Sequence, residues 1–275
     1  MDIEVALHRW GGAARTWQLH RSGVSDGDIA DAVLSGRVIR ARKGVYIENR
    51  RDPVGIAATH GGALTCVSVL ATLGIWLLDS QPEPHVQLGR KGRKHKHPRC
   101  RCVEHYSAER TRFGRQSCAD ALIAAMQCLT TEMLFVAFES AWHLGLISAD
   151  DRRRIITEAP QRLARWLRRT RGDAGSGLES LFRFRLLREG ITLECQVHIR
   201  GVGRVDFRHG QVLFEIDGRE HHDGDEAFHR DRVRDGAATR AGYRTERFDF
   251  AMIVHNWPQT LAVVKAAIAS SDWRI

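Results

Sequence analysis

The sequence predicts a mixed α+β or α/β protein in three segments, residues 1–52, 53–172 and 176–275. Three observations carry this expectation. A Gly/Ser-rich stretch, Gly172-Asp173-Ala174-Gly175-Ser176-Gly177, reads as a linker. Beyond it, apolar runs with period 2 alternate with runs of helical period in the order αβββαβα, the pattern of helices on a mixed sheet. The charge also divides at that point. Residues 1–175 hold 27 Lys/Arg against 18 Asp/Glu, whereas 176–275 hold 15 of each. A basic part joined to a neutral one points to attraction for phosphate in the first part.

The first fifty residues read as two helices, a sharp turn and a hairpin. Ala13 to Arg21 is expected to be a helix with Ala14 and Trp17 on its apolar face. Gly23-Val24-Ser25 forms the turn, Ser25 caps the next helix with Asp28 three residues on, and Gly36 ends it. Val38–Arg40 and Val45–Ile47 then form a short hairpin tipped by Arg42-Lys43-Gly44. This is the layout of a winged helix-turn-helix, a shape that docks on DNA, and its wing would carry Arg40, Arg42 and Lys43.

The middle segment is expected to be mainly helical. Pro53 to Leu78 reads as strongly apolar helix, and Cys118–Leu129, Thr131–Leu146 and Asp150–Thr170 as three more. Two strands, His85–Leu88 and Cys102–Tyr106, flank a loop at 89–101. Seven basic residues and no acid crowd Arg90, Lys91, Arg93, Lys94, Lys96, Arg99 and Arg101 into twelve positions. A solvated surface explains scattered charges but fits this run poorly, and DNA phosphate is the expected partner. Arg162, Arg165, Arg168, Arg169 and Arg171 are expected on one face of the last helix, by default a solvated one. The six cysteines follow no disulfide framework. Cys100-x-Cys102 after His95-x-His97 suggests zinc, but the spacing is too tight for two ligand pairs, so no site is expected there.

In the last segment the acids sit at telling places. Asp206 stands in a strand between Val205 and Phe207. Glu215 and Asp217 alternate on the next strand and therefore share a face. If the two strands form a hairpin, Asp206 lies beside them. Carboxylates on one sheet face repel one another unless a cation lies between them, and hard oxygen donors suit Mg²⁺ or Mn²⁺. Glu179 is three residues after Ser176, so a capping box explains it as well as a metal does. His221 and His222 follow as candidates for a general base or a phosphate contact. On the next helix Asp231 and Arg234 are candidate supporting residues, with helix-surface pairing as their ordinary use.

Two resemblances follow from these strings. "LHRSGVSDGDI" and "SGRVIRARKGVYI" resemble the N-terminal domain of AbiEi-type antitoxins, over about 45 residues. That resemblance implies a DNA-binding regulator. "GRVDFRHGQVLFEIDGREHHDGDEAFHRDRVRDGAATRAGYRTERF" resembles the very-short-patch-repair (Vsr-like) branch of the PD-(D/E)XK superfamily. It implies a restriction-endonuclease-like αβββαβ core, with Asp206 as central metal ligand, Glu179 as the helix acid, and His221 or His222 as base. Many PD-(D/E)XK enzymes carry lysine where this chain has Asp217, which puts the base assignment in question.

The expectation is a Mg²⁺-dependent endodeoxyribonuclease or nickase. Its metal ligands would be Glu179, Asp206, Glu215 and Asp217. The alternatives are a non-catalytic antitoxin-like regulator and an RNA-cutting toxin. The partner expected is DNA; a homodimer and a cognate toxin or operon partner stay open. No run of eighteen apolar residues and no signal-peptide pattern occur, so a cytoplasmic protein without a membrane partner is expected.

Overall fold

The computed structural model describes residues 1–78, 83–95, 97–98, 100–108, 110–217 and 225–271, without the side chains of 225–231 and 271. These residues form thirteen helices and three small sheets, a mixed α and β protein. No described helix is long and apolar enough to cross a membrane. The chain divides into two compact units. One holds Met1–Thr130 with Leu146–Ala164, the other Thr131–Gly145 with Arg165–Ile275. The division does not follow the expected boundary at 172–176. The helix 131–143 belongs to the C-terminal unit because its apolar face and Glu139 are buried there.

In the first unit α1 (Ile3–Arg9) precedes β1 (Ala13–Arg15), α2 (Thr16–Arg21), α3 (Asp26–Leu34), β2 (Ile39–Arg42) and β3 (Val45–Ile47). The sheet order is β1-β3-β2, all antiparallel. Ser25 Oγ accepts from Asp28 N and the Asp28 carboxylate accepts in turn from Ser25 N, so the capping box forms as expected. Two expectations fail here. Ala13–Arg15 is strand rather than helix, because its backbone is used by β3. Trp17 is exposed, and Leu19 takes the core position beside Leu7, Val24 and Ile29.

The expected long helix from Pro53 is broken. The observed pieces are α4 (Pro53–His60), β4 (Ala63–Leu64) and α5 (Cys66–Thr72). Gly61 has φ +123°, and a Cβ at Gly62 would stand 2.1 Å from Gln87 O. The glycine pair thus turns the chain so that β4 can pair antiparallel with β5 (His85–Leu88). β5 pairs in parallel with β6 (Val103–Tyr106). The helices α6 (Cys118–Ala125), α8 (Ala149–Glu158) and part of α9 (Gln161–Leu167) complete the unit. Pro160 separates α8 from α9, where one helix was expected.

In the second unit α7 (Thr131–His143) and α10 (Gly177–Arg188) accompany a four-stranded sheet in the order β10-β9-β8-β7. Its strands are β7 (Glu194–Ile199), β8 (Gly203–His209), β9 (Val212–Asp217) and β10 (Arg244–Asp249). β7, β8 and β9 run antiparallel and β10 lies parallel to β9. The helix α11 (Asp225–Arg240) makes the crossover, and α12 (Phe250–His255) and α13 (Trp257–Ser271) close the unit. Phe182 of α10 packs on Phe207, Phe248 and Trp257 with centroids 5.5, 5.3 and 5.9 Å away. This aromatic layer fixes the helix over the strands that carry the acids. Glu139 and Arg183 form a buried ion pair between α7 and α10.

Candidate functional site

The antiparallel register pairs Phe207 with Phe214, turning both rings into the core. The neighbouring acids follow from that register. Asp206 lies beside the end of β9, and its Oδ2 accepts from Ile216 N at 2.9 Å. Glu215 sits between two buried residues of β9 and pairs with Arg234 of α11, Oε1 to Nη2 2.7 Å. Asp217 is the next residue on that face and closes the described part of the strand. Arg234 of α11 thus holds the Glu215 carboxylate. The side chain of Asp231 and all of His221 and His222 lie outside what is described.

Glu179 does more than cap. Ser176 Oγ accepts from Glu179 N at 3.1 Å. The carboxylate turns instead to Gly175 N at 2.9 Å and Gln196 Nε2 at 2.6 Å. It is 6% exposed. Gln196 is the residue that sequence reasoning missed. It bridges Glu179 and Asp206, takes a bond from Arg204 Nε, and holds φ +54°. A non-glycine residue in the left-handed region costs energy and persists only where its surroundings demand it. The signal available in the sequence was a lone amide between Cys195 and Val197 in a strand.

The electrostatics follow from burial. Loss of water pushes Glu179 up to about 7, and the nearby Asp206 charge adds to the rise. Burial raises Asp206 as well, against the pull of the Ile216 N–H and Arg234. Glu215 is pushed up to about 7, again by burial first, with Arg234 opposing and Asp206 and Asp217 adding. The acids are thus brought to one end of the sheet beside α10. Their oxygens are spread more widely than the tightest donor groups among the described residues.

Those tightest groups are of a different kind and lie in the first unit. Among the described residues, His60, His97, Cys100 and Cys102 form one set that could hold a metal ion; Cys66, His85, His105 and Cys128 form a second. Within each set all donor atoms lie within 4.8 Å of one another. Spacing alone had argued against zinc near Cys100. It missed His60, 40 residues upstream, whose Nδ1 lies 3.2 Å from Cys100 Sγ. His95 turns away to Arg42.

The expected DNA-contacting residues divide by environment. Arg42 at the end of β2 and Lys43 of the turn after it, with Arg15, Lys91, Arg93 and His95, line one cleft of about 320 Å³ that no acid lines. Burial and the neighbouring Arg15 charge lower the pKa of Arg42. Arg40, Arg90 and Arg101 are exposed, and Lys94 pairs with Glu104 at 3.2 Å. Lys96 and Arg99 lie outside the described residues. The arginine run after α8 is largely in structural use. Arg165 and Arg169 stack over the Trp166 ring at 5.2 and 5.8 Å, and Arg171 pairs with Asp173.

Comparison with protein-family models and with curated proteins finds no match to this chain.

Proposed function

We propose that the protein is a metal-dependent nuclease that hydrolyses DNA phosphodiester bonds at the Glu179, Asp206 and Glu215 acids. The observation that carries this reading is the withdrawal of three carboxylates from water at one end of a sheet, with Arg234 paired to Glu215 and with Arg204 and Arg247 acting on the acids as further cations. Such a set is costly unless protons or a cation neutralise it. The element order α10-β7-β8-β9-α11-β10 supports a PD-(D/E)XK core. The α2–α3 pair with the β2–β3 hairpin supports a winged helix-turn-helix.

All donors in the acid set are hard oxygens, so the set fits Mg²⁺ or Mn²⁺, with Asp206, Glu215 and Glu179 as holders and Asp217 adjoining. When bound there, the ion supplies positive charge against a phosphodiester and acidifies a water. The chain's own contributions are positional. Ile216 N–H fixes the Asp206 carboxylate, Arg234 fixes Glu215, and Gln196 fixes Glu179 against Asp206. The cleft of Arg15, Arg42, Lys43, Lys91 and Arg93 supports attraction of the phosphate backbone. That same cleft favours a second reading, a DNA-binding regulator without catalysis, because binding needs nothing from the acids.

A plasmid-nicking assay with Mg²⁺ or Mn²⁺ separates the two, with DNA binding measured on the same samples. Wild type should nick, and Asp206→Asn and Glu215→Gln should lose roughly 10²-fold or more in rate. Both variants are nearly isosteric and should bind DNA as well as wild type. Binding without cleavage of duplex, single strand, mismatched DNA or RNA would leave the regulator.

A further inference from the structure

We propose that the first unit carries a zinc site made by Cys66, His85, His105 and Cys128, and a second made by His60, His97, Cys100 and Cys102. Zinc bonds of about 2.0–2.1 Å to nitrogen and 2.3 Å to sulfur, arranged as a tetrahedron, place the donor atoms about 3.3–3.8 Å apart. In the first group His85 Nδ1 and His105 Nε2 are 3.0 Å apart, and Cys128 Sγ is 3.7 Å from each. Cys66, His85 and His105 are all buried, and every cysteine is a free thiol. Two imidazole nitrogens and two sulfurs converge on one point with no carboxylate among them. The four ligands come from four places: the start of α5, β5, β6 and the turn after α6. A single hydrogen between the facing ring nitrogens joins only those two atoms, whereas a shared cation binds both nitrogens and the two sulfurs.

The backbone of Cys66 supplies an independent mark. It has φ +54° at the first position of α5, where a β-carbon is strained. That conformation holds its side chain in the group instead of along the helix. Two sulfurs and two nitrogens in a closed tetrahedral set select zinc among common cations, and four protein ligands make the site structural.

The second group stands on its own observations. His60 Nδ1 is 3.2 Å from Cys100 Sγ, and His97 Nε2 is 3.6 Å from Cys102 Sγ. The other ring nitrogen of His60 lies 3.3 Å from Glu104 Oε1. A carboxylate behind a ligating histidine is the usual outer partner in zinc sites, where it fixes the ring and raises its basicity. This group ties the basic loop at 97–102 to the end of α4.

The test uses the full chain purified under reducing conditions without added metal. Elemental analysis should find about two zinc ions per chain, one for each four-ligand set. After chelation, Co²⁺ should restore a tetrahedral d–d spectrum with thiolate charge-transfer bands, and a mercurial thiol reagent should release the zinc of wild type. Cys66→Ser/Cys128→Ser should halve the zinc content, as should His97→Ala/Cys102→Ser, whose changes fall on a surface loop and spare the fold. Zinc content equal to wild type in the first variant overturns the first site; equal content in the second overturns the second. Protein that retains no zinc and gives no Co²⁺ thiolate bands overturns both, and needs no variant to do so.

Discussion

Glu179 and Glu215 titrate near neutrality because burial removes the water that would stabilise their charge. A carboxyl whose pKa is 4.5 in the unfolded chain and about 7 in the fold binds more protons when folded between those values. The metal-free protein therefore loses stability as pH rises through that window, and above it the full penalty applies. One pKa unit is about 1.4 kcal/mol, so the penalty is on the order of 3–4 kcal/mol for each acid before solvent screening lowers it. Glu215→Gln removes it for one acid at the loss of the Arg234 pair. In the metal-free state the variant should gain on the order of 1–2 kcal/mol over wild type at pH 8 and nothing at pH 4.5. Added Mn²⁺ should stabilise wild type at pH 8 and leave the variant nearly unmoved. Thermal melts at the two pH values check both statements. An equal Mn²⁺ effect in wild type and Glu215→Gln would detach the acid from any metal.

The pairing of α7 with α10 rests on more than apolar packing. Glu139 is fully buried and Arg183 nearly so. Glu139 Oε1 also accepts from Arg171 N at 2.6 Å. Removing one partner leaves an uncompensated charge, which costs about 3–5 kcal/mol, whereas replacing both by apolar groups is often neutral. Arg183→Met should fall in that range by urea unfolding, and Arg183→Met/Glu139→Leu should recover most of it. A single-variant loss under about 1 kcal/mol would mean that water reaches the pair. At this scale the sequence was legible where one rule governs an element. The capping box at Ser25, the Gly-bounded strands β8 and β9, and the crossover helix α11 all stand close to their expected places. It misled where the backbone has a distant partner. Ala13–Arg15 had helical spacing, but β3 takes its hydrogen bonds. The apolar run from Pro53 looked continuous, but Gln87 O packs against Gly62.

For the whole molecule the charge division has a measurable consequence. The excess of cations lies in residues 1–175, and five of the expected loop contacts, Arg90, Lys91, Arg93, Lys94 and Arg101, fall within the described residues. Each phosphate contact made by duplex DNA adds about 0.9 to the slope of log affinity against log salt. Replacing all five by Gln should flatten that slope by up to about 4.5 and weaken binding to all sequences alike. An unchanged slope would show that the loop does not touch phosphate.

What the sequence determined by itself was local: strand and helix periodicity, caps, turns and the alternation that puts Glu215 and Asp217 on one face. Those features depend on residues a few positions apart, so a linear reading reaches them. The tertiary structure decided what distant segments bring together. It carried Glu179 to Asp206 through Gln196, grouped His60 with Cys100, and set Cys66 and Cys128 around His85 and His105. It also moved α7 into the C-terminal unit, because an ion pair and a buried helix face are satisfied only by partners that chain order does not reveal.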